Sequence, residues 1–171
     1  MIFVTVGTHE QPFDRLVREI DRLKISGIIK ERVVVQSGYS NYEPEACDWK
    51  AFYPYEKMAD FIDEARIVIT HGGPSSFIMP LQIGKIPVVV PRRKEFGEHV
   101  NNHQVDFVEK VCQIQRNIIP VYEISDLKKV ILDYDRLAGR MHVSRESHNE
   151  EFITNLKKII DDLFENKKVK G

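Results

Sequence analysis

Hydrophobic and polar positions along this chain follow two alternating spacings, which together predict a repeating order of strand and helix. Short apolar runs rich in β-branched residues are typical of buried strands. The runs of this kind cover residues 2–6, 32–36, 66–70, 86–90 and 118–121. A polar loop is predicted over 37–50, with a further short strand after it at 51–53.

Helices are predicted where apolar residues recur three or four positions apart, because that spacing lines one face of a helix. Sets of this kind cover 13–23, 58–65, 75–84, 99–111, 127–134 and 152–163. Pro12 suits the first turn of the first helix, and Ser125 is expected to begin the fifth. Residues 134–149 are polar and poorly patterned, which favours a loop or a crossing segment.

The alternation predicts an α/β fold, namely a Rossmann-like, mostly parallel sheet with helices on both faces. A chain of 171 residues is long enough for one domain with a sizeable core, so a single domain is expected over 1–171. In such sheets the ligand lies beyond the carboxyl ends of the strands. The segments 7–9, 71–74 and 92–103 all follow strands and are therefore expected to meet at one edge.

Composition narrows the class of protein. The chain is 42% hydrophobic and 30% charged, as is usual for a globular domain. Its net charge of -1 argues against nucleic acid as the main partner. Cys47 and Cys112 form neither a disulfide framework nor a metal motif, so reduced thiols in the cytosol are expected. Neither a leader nor a membrane span is expected, because no apolar run approaches about 18 residues.

The most specific chemical signal is the run Thr-His-Gly-Gly-Pro-Ser-Ser over 70–76, directly after a buried β-branched run. A strand that turns through Gly72 and Gly73 into a helix leaves main-chain N–H groups and the positive helix end facing outward, which forms a seat for phosphate. The hydroxyls of Ser75 and Ser76 would bond the same anion or cap the helix. The alternative is a purely structural Gly-Gly turn.

A second glycine turn supports the same hypothesis. Gly7 and Thr8 follow the first predicted strand and precede a helix, so they are another place where main-chain donors can meet a pyrophosphate or a ribose. A structural tight turn is the alternative here as well.

The stretch from Thr70 to Gln104 resembles the donor-binding half of a two-domain (GT-B) glycosyltransferase. The segments 84–87 and 91–104 carry the resemblance, and the segments 3–8 and 63–66 match the same families. It is similar above all to split subunits of the family 28 C-terminal-domain type. These include the bacterial subunits that make capsules and exopolysaccharides, notably β-1,4-galactosyltransferases. They also include the catalytic subunit of the two-chain eukaryotic transferase that adds N-acetylglucosamine to a dolichol-linked sugar.

The resemblance, which extends from Met1 to about residue 112, implies a set of contacts with a nucleotide sugar. The residues in this set are Gly7, Thr8, His71, Gly72, Gly73, Pro74, Ser75, Ser76, Glu98, Asn102, His103 and Gln104. Within the set, His71 approaches the donor phosphates, while His103 and Gln104 lie against the hexose hydroxyls, which suits a carboxamide that both donates and accepts. Without the resemblance, His71 is interpreted as a histidine packed at a strand end. His103 and Gln104 are then interpreted as solvated residues on the surface of a helix.

Glu98 has three interpretations: a contact to sugar hydroxyls, a general base, or a favourable charge at a helix N-terminus. No catalytic residue is therefore assigned. Met79 stands where relatives carry the glutamate that holds the ribose, so the ribose is expected to be bound differently. His99 and His103 have the spacing of zinc ligands, but no third ligand follows them and no metal is predicted. The basic run 92–94 is interpreted as facing anionic headgroups or the substrate diphosphate.

The implied function is that of the donor-binding catalytic subunit of an inverting, metal-independent glycosyltransferase, with a UDP-sugar as substrate and no cofactor. The N–H groups of Gly7, Gly72 and Gly73 and the helix near Ser75 would stabilise the departing diphosphate. The hexose, galactose or alternatively N-acetylglucosamine, would pass to a lipid-diphosphate-linked saccharide in capsular or exopolysaccharide synthesis.

A partner chain is also implied, because the acceptor-binding half of the two-domain enzymes is missing. A membrane-anchored acceptor-domain subunit is expected to hold this cytoplasmic chain at the inner face of the membrane. The rival hypothesis is a non-catalytic nucleotide-binding or enhancer module of the same pathway. The intact run 71–73 and the pair at 103 and 104 favour the donor-binding role, since an enhancer would not need them.

Overall fold

Six strands form one sheet in the computed structural model, which describes residues 1–141. The strands are β1 (Ile2–Thr5), β2 (Val33–Gln36), β3 (Asp48–Lys50), β4 (Ile67–His71), β5 (Val88–Val90) and β6 (Ile119–Pro120). They lie in the order β3-β2-β1-β4-β5-β6, and every neighbouring pair is parallel. This strand order is that of the Rossmann fold.

Helices cover both faces of the sheet. They are α1 (Asp14–Ile25), α2 (Tyr55–Glu64), α3 (Pro74–Gln82), α4 (His103–Ile114), α5 (Leu127–Leu132) and α6 (Tyr134–Ala138), with short 3₁₀ helices at Lys94–Phe96 and Ile124–Asp126. Side chains of α1, α5 and α6 share one apolar cluster with one face of the sheet. Those of α2, α3 and α4 pack in two clusters with the other face. The predicted fold class is confirmed.

The strand sequences follow from this double cover. In a parallel sheet with helices on both faces, both sets of alternating side chains are buried, so a strand is apolar throughout. The residues of β1, β2, β4 and β5 are all buried accordingly. Val4 faces the cluster shared with α1, whereas the adjacent Phe3 faces the cluster under α2.

The register of the strands brings their carboxyl ends to one edge. Thr5 of β1 pairs with Thr70 of β4, and His71 pairs with Val90 of β5. The segments that follow β1, β4 and β5 therefore leave the sheet on the same side, as predicted. The direction in which the chain crosses the sheet reverses between β1 and β4, and this reversal opens the crevice in which α/β folds bind ligands.

Several local predictions about element bounds were wrong. The third strand is β3 at 48–50, not 51–53, because two exposed polar residues flank Trp49 on this edge strand. Pro12 lies before α1, which begins at Asp14. Helix α4 begins at His103 rather than near 99, since residues 94–102 form a 3₁₀ turn and a loop.

The region after β6 also differs from its prediction. Ser125 lies within a 3₁₀ helix that precedes α5, and Asp133 separates α5 from α6. Helix α6 occupies the beginning of the predicted loop at 134–149. Residues 142–149 of that loop and the helix predicted at 152–163 lie outside the described residues. Within 1–141, no helix is both long enough and apolar enough to cross a bilayer.

Candidate functional site

Two loops meet where the strand order reverses, and the ring of His71 lies between them. A Cβ atom at Gly7 would lie 2.3 Å from Nε2 of this ring, and one at Gly73 would lie 2.2 Å from its Cε1. Both distances are far below van der Waals contact, so only glycine leaves room for the ring at either position. Gly7 also has a φ of 77°, a conformation that favours glycine.

The hydrogen bonds of His71 define its protonation. The N–H of Gly73 donates to Nδ1 at 2.9 Å, so Nδ1 carries no proton. Nε2 lies 2.6 Å from Oγ of Ser76 and, as the protonated nitrogen, donates to it. Burial, assisted by the positive charge of Arg92, lowers the pKa of His71 to about 4. The imidazole is therefore neutral near pH 7. It links Gly73 to the first turn of α3 and lies close against Gly7.

Most of the predicted main-chain donors are already used inside the protein. The N–H of Gly7 donates to Oγ1 of Thr5 at 3.2 Å, and that of Gly72 donates to Oε1 of Gln104 at 3.0 Å. With Gly73 bonded to His71, the expectation that these three glycine N–H groups face an anion is not met. Glycine at these positions instead permits close packing around the imidazole ring.

Donors for an anion remain at the first turn of α3 and after β1. Ser75 and Thr8 are exposed, and their N–H groups have no acceptor among residues 1–141. Pro74 occupies the first helical position, where a missing N–H costs nothing. No side chain caps α3, because its N-cap residue is Gly73, and the hydroxyl of Ser76 is bonded to His71. The cap predicted for the serines is therefore absent, while the positive end of the nine-residue helix stays open.

Gln104, which the resemblance places against the hexose, reaches the glycine turn after β4, where its amide oxygen bonds the protein. Oε1 accepts from the N–H of Gly72 at 3.0 Å and from the N–H of Arg92 at 3.1 Å. This side chain thereby joins α4 to the loops after β4 and β5. Its neighbour His103 is 44% exposed and lies 3.9 Å from a carboxylate oxygen of Asp106. Asn102 closes the preceding loop by accepting from the N–H of Lys94 at 2.8 Å.

Glu98 has a role that none of its three interpretations anticipated. Its side chain is only 2% exposed, and its two oxygens accept from Nε and Nη2 of Arg15 at 2.8 and 2.9 Å. One of these oxygens also accepts from the N–H of Arg93 at 3.0 Å. Because α4 begins at His103, Glu98 does not lie at a helix N-terminus. The carboxylate holds the loop after β5 against α1, which replaces the general-base interpretation.

Arg92 is the residue that the sequence interpretation missed. Within the basic run it was expected on the surface, yet its side chain is fully buried. Its guanidinium donates to main-chain oxygens of Val6 at 2.8 Å, Gln11 at 2.7 Å and Glu98 at 3.0 Å. Its neighbour Arg93 is paired with two carboxylates, so the run does not form a basic surface patch. No signal in the sequence distinguishes Arg92 from its basic neighbours.

The histidine pair with zinc-ligand spacing, His99 and His103, does not form a metal site among residues 1–141. His99 stacks on His9 with ring centroids 4.6 Å apart, rather than pairing with His103. Within residues 1–141, no three side chains of the metal-binding types come together.

Met79 packs against the cluster under α2 and lines a cavity of about 480 Å³ between α2 and α3.

This geometry, an open helix N-terminus at the point where the strand order reverses, is that of a Rossmann-like domain. Residues 1–163 match the family described as the glycosyltransferase family 28 C-terminal domain, and the chain belongs to that family. It is also 33% identical over 119 residues to the UDP-N-acetylglucosamine transferase subunit ALG13 of Homo sapiens. That alignment covers 64% of this chain and 10% of ALG13, so the chain spans about a tenth of the relative it matches.

Two solved glycosyltransferases share the fold. SnogD from Streptomyces nogalater superposes with a TM-score of 0.53 at 16% identity, over 81% of this chain and 36% of its own. The glycosyltransferase of kitacinnamycin superposes with a TM-score of 0.60 at 16% identity, over 96% of this chain and 42% of its own. In both cases this chain corresponds to less than half of the longer protein.

Proposed function

We propose that this chain is the donor-binding catalytic subunit of an inverting glycosyltransferase that uses a UDP-sugar. One observation carries the proposal: the loops around His71 meet the open N-terminus of α3 at the strand-order reversal between β1 and β4. Thr8 and Ser75 are exposed there, and their N–H groups have no acceptor within residues 1–141, so they are available to an incoming diphosphate. Membership of glycosyltransferase family 28 supports a nucleotide sugar as the ligand.

The fixed loops around this seat suit the stabilisation of a leaving diphosphate. Donors that are already oriented stabilise developing negative charge without reorganising during the reaction. His71 and Gln104 hold the glycine turn after β4 through hydrogen bonds with Gly72, Gly73 and Ser76. Gln104 also accepts from the N–H of Arg92. A cation is not part of the proposed mechanism, because the helix end and the main-chain donors supply the positive potential.

The sugar is proposed to be a hexose, and two donors are candidates. The motif that includes 98–104 favours galactose by its resemblance to capsular transferases. The name of the human relative favours N-acetylglucosamine. Among the residues described here, His103 is the exposed polar side chain next to Gln104 and is proposed to contact the hexose.

The acceptor is proposed to be a lipid-diphosphate-linked saccharide, bound with the help of a membrane-anchored partner subunit. The human relative is named as a transferase subunit, which supports a partner chain. In this arrangement the chain works at the inner face of the membrane, in capsular or exopolysaccharide synthesis.

Calorimetric titration of the full chain with UDP tests the donor site directly. UDP is expected to bind equally well with magnesium and with EDTA, and ADP is expected to bind more weakly. Absence of UDP binding would overturn the proposed function, and binding that is lost in EDTA would overturn the cation-free mechanism. Transfer of radiolabelled hexose from UDP-galactose or UDP-N-acetylglucosamine to lipid, measured with membranes that contain the partner, then identifies the sugar.

A further inference from the structure

Arg92 carries a buried charge that lacks a counter-ion among residues 1–141. Its side chain is 0% exposed and forms no ion pair with any residue that the structure describes. The two Nη atoms bond only main-chain oxygens, and Nε has no hydrogen-bond partner within residues 1–141. Burial lowers the pKa of this guanidinium to about 10, which still leaves it charged near neutral pH.

The nearest acidic group is already neutralised. Glu98 lies close enough to favour the charged form of Arg92, but its carboxylate makes a bidentate ion pair with Arg15. These three buried or half-buried groups therefore hold two positive charges and one negative charge. Burying an uncompensated charge costs free energy, so a positive charge that is retained at this position indicates that an anion binds near it.

The position of Arg92 connects it with both halves of the proposed diphosphate seat. Its Nη2 bonds the carbonyl of Val6, the residue before Gly7, at 2.8 Å. Its own N–H shares the amide oxygen of Gln104 with Gly72. The charge also depresses the pKa of His71, whose ring lies between the two loops.

We propose that Arg92 is a positioning residue. The fixed charge of its buried guanidinium selects for the diphosphate of the nucleotide without contact between the two groups. The inference rests on the proposed function and adds the source of its anion selectivity. A charge in the low-dielectric interior acts over a longer distance than an exposed one and is screened little by salt. Its effect on affinity should therefore increase with the number of phosphates on the ligand.

Matched variants separate the charge of Arg92 from its packing. Arg92→Met removes the charge and the donors, whereas Arg92→Lys keeps the charge and loses most of the donors. Arg93→Met is the control, because that neighbouring arginine is paired with Glu95 and Glu123. The affinities of uridine, UMP and UDP are measured by calorimetry for each folded variant and for the unaltered chain.

For Arg92→Met, UDP affinity is expected to fall about tenfold or more relative to uridine affinity, with UMP between them. An effect of this size follows for unit charges about 10 Å apart at an effective dielectric constant of about 20. Arg92→Lys should restore most of the UDP-to-uridine ratio, and Arg93→Met should leave the ratio unchanged. If Arg92→Met lowers all three affinities equally, its role is structural only and the inference is overturned. If the unaltered chain does not bind UDP, the proposed function itself fails.

A second measurement uses the unaltered chain and remains available if both Arg92 variants unfold. The ¹⁵N resonances of the Arg92 side chain are expected to shift on addition of UDP and to stay in place on addition of uridine. Nε is the atom to follow, since it has no partner within the described residues. Equal shifts with both ligands, or none with UDP at saturation, would contradict a charge interaction with the diphosphate.

Discussion

The N–H of Gly73 donates a hydrogen bond to Nδ1 of His71 at 2.9 Å, two residues back along the chain. The bond requires an unprotonated Nδ1, and the buried ring therefore stays neutral in the folded protein. The opposite nitrogen holds Ser76 in the first turn of α3, so one imidazole links the strand end, the glycine turn and the helix. Protonation of His71 places a proton on Nδ1 and removes the hydrogen bond from Gly73.

The free energy of unfolding is expected to decrease as the pH falls through the range in which His71 takes up a proton. In the unfolded chain His71 titrates near its ordinary pKa of 6.5, whereas in the folded chain its pKa is about 4. Between these values the unfolded chain binds a proton that the folded chain does not, so the free energy of unfolding decreases as the pH falls from 6.5 to 4. The contribution is about 3 kcal/mol in all, and urea unfolding at a series of pH values measures it.

The control for this window is His71→Asn, which keeps an acceptor near the position of Nδ1 and does not titrate. Carboxylates such as Asp21 and Glu31 add their own pH dependence, which both proteins share. The difference between the two stability curves therefore isolates His71. Parallel curves between pH 4 and 6.5 would show that the histidine is not buried as a neutral ring.

Gly73→Ala is expected to destabilise the protein through contact with His71. The φ of Gly73 is -76°, which alanine adopts without strain, so the effect comes from the Cβ that would lie 2.2 Å from Cε1 of the ring. Overpacking of this kind costs about 1–3 kcal/mol. In a double-mutant cycle, the same change should cost less in the His71→Asn background, because the smaller side chain leaves space. An equal cost in both backgrounds would argue against this contact.

Gln104→Ala is expected to weaken UDP binding as well as use of the whole UDP-sugar. Its loss leaves the N–H groups of Gly72 and Arg92 without an acceptor, and each unsatisfied buried donor costs about 1–3 kcal/mol. The glycine turn then loosens, and UDP affinity should fall several-fold. Gln113→Ala is the matched control, because it lies on the exposed face of the same helix. Unchanged UDP affinity in Gln104→Ala would instead support the contact between Gln104 and the hexose that the resemblance implies.

Much of the fold was predictable because most strands are buried on both faces. Runs such as 33–35 and 67–69 are β-branched and apolar throughout, so their assignment as strands does not depend on their neighbours. Strand β3 was placed three residues too late because its stability comes from pairing with β2 rather than from its own apolar residues. An edge strand with exposed polar side chains has no hydrophobic pattern to detect.

The location of the site was predictable, whereas the use of its atoms was not. Strand ends and glycine turns indicated that Gly7 and His71 meet at one edge. Which N–H groups remain available depends on Gln104, an acceptor 32 residues away from Gly72 along the chain. The burial of Arg92 likewise follows from carbonyls of distant segments, which local spacing does not reveal.

Glu98→Gln is expected to lower the stability of the protein by about 3 kcal/mol, since removing one partner of a buried ion pair leaves the other charge uncompensated. The partner is Arg15, which holds both carboxylate oxygens within 3 Å and also bonds the carbonyl of Pro91 at 3.1 Å. Chemical unfolding at pH 7 measures the loss. Glu95→Gln is the control, because its contact with Arg93 is 3.6 Å long and exposed, and such pairs contribute less than about 1 kcal/mol. Equal stabilities of the two variants would mean that the Glu98 carboxylate does not hold the loop after β5, and the general-base interpretation would then be open again.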